Sequence, residues 1–82
     1  MIKVGDKVLW RGNFGLELGE YARIVRMELC ERDREKHGVP VEWISDDQKN
    51  RTVFDLDNGH WAYGEQIIQL SYDLEQLQRK AK

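Results

Sequence analysis

Apolar and polar positions alternate most regularly on either side of Asn58-Gly59, in the stretch VFDLDNGHWAYG from Val53 to Gly64. Asn-Gly between two strand-forming runs predicts a β-hairpin with a two-residue type I′ turn, which needs positive φ at both central positions. That turn sets Asp57 opposite His60, Leu56 opposite Trp61, Asp55 opposite Ala62 and Phe54 opposite Tyr63. Phe54, Leu56, Trp61 and Tyr63 are then expected on the core face, with Asp55, Asp57 and His60 on the wet face.

The same reading extends along the chain. Val4-Gly5-Asp6 has the composition of a tight turn, and Lys7 to Arg11 alternates so that Val8 and Trp10 face a core. Glu20 to Glu31 is the longest strand signal, but its apolar phase changes between Ile24 and Val25. A β-bulge there explains the change; a helix carrying Tyr21, Ile24 and Val25 on one stripe is the alternative, and the β-forming residues favour the strand. Pro40 cannot donate to a ladder, so Val39 to Ile44 reads as an edge strand or extended loop, in which inward anchoring by Val41 and Trp43 is one option. The segments ERDREKH and Asp46 to Asn50 read as solvated connections, Gly64-Glu65-Gln66 as a tight turn, and Ile67, Ile68 and Leu70 as a last short strand. From Ser71 a cap, early acids and late bases predict a short amphipathic helix to about Lys80, carrying Leu74 and Leu77 on one face. The expected organisation is a barrel domain over residues 1–70 and a C-terminal helix or tail over 71–82.

These elements define an all-β fold: a small, strongly bent antiparallel barrel of about five strands with a short C-terminal helix. Val4-Gly5-Asp6-Lys7-Val8-Leu9-Trp10 resembles the opening of SH3-like barrels of the Tudor and KOW type, and Asp57-Asn58-Gly59 followed by Trp61 resembles their later hairpin. The resemblance implies the architecture. It does not select among the peptide, methylated side-chain, RNA, DNA and ribosome binding that this architecture supports.

Composition narrows the picture. Eighty-two residues give one domain with a thin core, burying roughly 60% of the unfolded surface, so three Trp, three Tyr and two Phe must supply much of it. Cys30 is the one cysteine, which excludes an intramolecular disulfide and fits a reducing compartment, so the cytoplasm is the expected location. The charged N-terminus lacks a signal-peptide h-region, and no apolar run approaches the roughly 18 residues of a membrane span, so a soluble protein without membrane contact is expected. A net charge of −2 argues against a general phosphate-backbone binder. Residues 28–47, however, carry seven acids against three bases, while residues 1–27 are locally basic.

Candidate chemistry follows from these distributions. Asp57 and His60 could orient a general base, but cross-strand pairing on a wet face accounts for them, and no nucleophile lies nearby in sequence. Cys30, His37 and His60 lack metal-ligand spacing, GNFGLELG lacks the Lys-Ser/Thr of a phosphate loop, and no cofactor or enzymatic activity is expected. Trp10, Phe14, Tyr21, Trp43, Trp61 and Tyr63 exceed what a thin core hides, and Phe14 and Trp43 are the two expected at the surface. The leading expectation is a non-enzymatic module that contacts a basic protein partner through Phe14, Glu42, Trp43, Asp46 and Asp47. The alternative is a nucleic-acid module using Arg11, Arg23, Arg26 and Arg51 on phosphates with Trp10 as a stacking residue. A third reading is a structural or oligomerising subunit that uses the terminal helix and an open sheet edge.

Overall fold

The computed structural model describes residues 1–12 and 18–69. Phe14 and the expected helix over 71–82 lie outside the described residues. The strands are β1 (Ile2–Lys3), β2 (Lys7–Trp10), β3 (Glu20–Leu29), β4 (Val39–Val41), β5 (Trp43–Ile44), β6 (Thr52–Leu56), β7 (Trp61–Tyr63) and β8 (Ile67–Gln69), with 3-10 turns at Asp46–Arg51 and Gly64–Gln66. Every pairing is antiparallel, in the order β7-β6-β3-β2-β8. The last strand thus returns to the second, and the sheet curls into a half-barrel. β4 adds to the far end of β3, and β1 pairs with β5.

β3 bends where its sequence changes phase. Its first half pairs with β2 and its second with β6, and the register slips between Ile24 and Arg26. Val25 is the extra, exposed residue of a β-bulge. The bulge lets Ala22, Ile24 and Met27 all point inward, which strict alternation forbids. They meet Ile2, Val8, Ile44, Phe54, Leu56, Ala62 and Ile67 in one core, with Val4, Trp10, Leu29 and Val41 packed at its margin. The turn before β2 forms as expected: Gly5 takes φ +97°, and Lys3 N donates to Asp6 Oδ2 at 3.0 Å. Val39–Ile44 does not run as one strand. Val4 N donates to the Glu42 carbonyl at 3.0 Å, and the chain bends there between β4 and β5.

The hairpin forms in a register one place away from the expected one. Leu56 N donates to the His60 carbonyl at 2.9 Å and Gly59 N to the Leu56 carbonyl at 3.2 Å, which leaves a three-residue loop, Asp57-Asn58-Gly59. Only Gly59 has positive φ, +84°, as in a type I turn followed by a left-handed glycine. Asn58 is used for its side chain instead: Nδ2 donates to Glu20 Oε1 at 2.6 Å, and Oδ1 accepts from His60 N at 3.0 Å. One extra loop residue turns every following side chain over. Phe54 now opposes Ala62, Asp55 opposes Trp61 and Val53 opposes Tyr63. Ala62 is fully buried, whereas Trp61 and Tyr63 leave the core for the outer face.

Candidate binding face

The register of β3, β6 and β7 places two rows of side chains on the outer face. Arg26, Asp55 and Trp61 form one row, and Glu28, Val53 and Tyr63 the next. Directly opposed residues on such a face have Cβ atoms about 5 Å apart, close enough to interact. Trp61 and Tyr63, two residues apart on one strand, meet edge to face with ring centroids 5.1 Å apart. Trp61 remains 49% exposed. Arg26 reaches Glu28 at 4.0 Å. The carboxylate of Asp55, partly buried between Arg26 and Trp61, has no hydrogen bond or ion pair among the described residues.

The charged connection 31–38 crosses this face as a strap. Arg34 Nη2 donates to Glu65 Oε2 at 2.8 Å, and Arg34 N to the Asn50 carbonyl at 3.4 Å. The Cys30 thiol donates to the Glu35 carbonyl at 3.5 Å. Burial raises the pKa of that thiol, and the Glu35 and Glu28 carboxylates raise it further. Covered in this way, Val53 is buried although it points outward. Lys36 Nζ stands 6.0 Å from the Trp61 ring centroid. Between strap and sheet lies a cleft of about 320 Å³, lined by Glu28, Lys36, His37, Val53, Asp55 and Trp61. Its size suits one side chain or a small head group. An aromatic wall, an apolar floor and two carboxylates favour a cation carried on an apolar stem.

The residues expected to form the protein-binding surface are distributed differently. Trp43 is 60% exposed, as expected, and sits opposite Lys3 in the β1–β5 pair. Glu42 is exposed at the bend. Asp46 accepts the N-terminal ammonium at 2.8 Å, and Asp47 accepts the Ser45 hydroxyl, so two of the three carboxylates near Trp43 already hold partners.

The four arginines expected to hold phosphates do not converge. Arg11 follows Trp10, which pairs with Glu20 at the start of β3, whereas the Arg51 carbonyl accepts from Cys30 N beyond its end. Ten residues of strand lie between those points, on the order of 30 Å measured along the chain. Arg23 donates to the Gly5 carbonyl at 3.0 Å, and Arg51 to the Cys30 carbonyl at 3.3 Å. Trp10 is half-buried and stacked on His60, with ring centroids 4.5 Å apart. Asp57 accepts from Arg23 N at 3.0 Å instead of pairing with that imidazole.

Glu28, Lys36, His37, Asp55 and Trp61 therefore line one cleft, a candidate site that the sequence pattern does not reveal. The signal was present in the alternation around Val53 to Tyr63, but a two-residue loop assigned Trp61 to the core. Among the described residues no helix is long and apolar enough to cross a membrane, and no group of His, Cys, Asp and Glu is placed to hold a metal ion. The fold is that of a small, mostly β protein with an antiparallel, barrel-like sheet. Comparison with protein-family models, curated proteins and solved structures yields no match to this chain.

Proposed function

We propose that the protein is a non-enzymatic binding module of SH3-like architecture that receives a basic segment of a protein partner on the outer face of β3, β6 and β7. The observation that carries this reading is Asp55: a partly buried carboxylate with no partner among the described residues, set beside the exposed Trp61 ring and one row from Glu28. A lysine or arginine side chain entering the cleft lays its methylenes on Val53 and Trp61 and brings its charge to the two carboxylates. The acid and aromatic chemistry expected around Trp43 is thus better served at Trp61, where the carboxylates are less engaged. The SH3-like reading is supported by the curled sheet, in which β8 closes back on β2, and by the turn and hairpin residues that carry the resemblance.

Fluorescence anisotropy of a labelled oligolysine peptide tests the proposal. Asp55→Asn and Glu28→Gln are each expected to weaken binding about two- to fivefold, the worth of a partly exposed ion pair. Trp61→Ala is expected to weaken it about tenfold, and Trp43→Ala to leave it unchanged. Loss of affinity in Trp43→Ala with none in Trp61→Ala would return the site to the β1–β5 surface.

A further inference from the structure

Resting on that reading, we propose that Lys36 is an internal competitor for the cleft: its ammonium occupies the place of the partner's cation, and the strap 31–38 that carries it, latched by Arg34 to Glu65, must give way when the partner binds. Lys36 projects from the strap toward the one exposed aromatic ring that lines the cleft, with Nζ 6.0 Å from the ring centroid, at the outer limit of a cation–π contact. It makes no ion pair with either carboxylate among the described residues, so the ring contact is what holds it in the cleft, and it holds it weakly. The position is imposed by the strap's anchors. Arg34 holds a left-handed backbone, φ 61°, with its side chain on Glu65, and the Glu35 carbonyl is tied to the Cys30 thiol. Lys36 follows directly and is delivered over Trp61. A partner's cation that is to reach both Trp61 and Asp55 enters the cleft that Lys36 also lines.

An occupant this loosely held lowers the apparent affinity only by the fraction of time it blocks the site. Releasing it is expected to tighten binding by about two- to fivefold, the range that a solvent-exposed cation–π contact corresponds to.

Titration of the same labelled oligolysine peptide into Lys36→Gln, Lys3→Gln, Arg34→Gln and the Lys36→Gln/Arg34→Gln double variant decides the matter. Lys3 lies across from Trp43, outside the cleft, and its substitution makes the same change in net charge. The expected result is tighter binding in Lys36→Gln and in Arg34→Gln, no more than a small change in Lys3→Gln, and no further gain in the double variant, because both changes release one group. Equal tightening in Lys36→Gln and Lys3→Gln would reduce the effect to net charge and overturn the inference. Weaker binding in Lys36→Gln would make Lys36 a helper and overturn it as well. In both cases the binding reading survives so long as Trp61→Ala still loses the peptide. No binding to the parent or to Lys36→Gln removes that reading and this inference together. Tightening in Lys36→Gln but not in Arg34→Gln overturns the latch.

Discussion

Trp61 and Phe54 lie on the same hairpin, and their fates differ by a single step of register. Phe54 is fully buried, so Phe54→Ala is expected to cost about 3–5 kcal/mol in urea unfolding. Trp61 is half-exposed on the outer face, and Trp61→Ala is expected to cost about 1 kcal/mol or less. A loss at Trp61 as large as that at Phe54 would mean that the tryptophan sits in the core after all. Cys30 supports a second residue-level expectation. Its thiol titrates above its ordinary value of 9.0, so it is protonated in the folded chain at a pH where the unfolded chain already carries thiolate. Its contribution to stability is complete below the unfolded value and falls away as pH rises beyond it. Lys49, lowered by burial from 10.5, acts in the opposite direction below that value. The comparison that isolates Cys30 is therefore parent against Cys30→Ala, with a steeper alkaline fall in the parent. Native Cys30 should also react slowly with a thiol reagent at neutral pH and quickly in urea.

At the scale of elements, the longer strands are legible in the sequence, and the hairpin turn and the two-residue strands are not. Alternation at Val8 and Trp10, the phase change at Ile24 and Val25, and Pro40 at an edge all correspond to features of the structure, because each follows from pleat geometry or from a missing donor. The Asn58-Gly59 turn depends on a contact from elsewhere. Asn58 is drawn to Glu20 and to His60 N, which favours a three-residue loop over the two-residue turn that local sequence predicts. Nothing in the hairpin's own sequence reports Glu20. The pairing of β1 with β5 was equally hidden, since two-residue strands leave no periodicity to read. The loop can be tested directly. Gly59→Ala forces a side chain into the left-handed region and is expected to cost about 1 kcal/mol. Asn58→Ala removes both side-chain bonds and is also expected to destabilise, which thermal unfolding of the two variants checks. Between the 3-10 turns the packing is closer still: a Cβ at Gly64 would overlap the Lys49 carbonyl, so Gly64→Ala is expected to be more damaging than Gly59→Ala.

For the whole molecule, the charge distribution motivates the proposed basic partner but does not say where it would bind. A balance of −2 with acids gathered in residues 28–47 points to a basic ligand, and Glu28 belongs to that run. Asp55 does not, and neither does Trp61; only the sheet brings them to Glu28 and to the strap. Their convergence is a tertiary fact that linear spacing cannot carry. If the outer face works as proposed, affinity for a basic peptide should weaken as salt rises from low to physiological strength. It should also be weakened in variants of the face that keep the parent's unfolding midpoint. The most direct measurement is a two-dimensional NMR titration of the isotope-labelled protein with oligolysine, following the three tryptophan indole N–H signals. The account predicts that the Trp61 signal moves with saturation while those of Trp10 and Trp43 stay in place. Movement of the Trp43 signal with Trp61 unmoved, or no movement of any of the three, would contradict it.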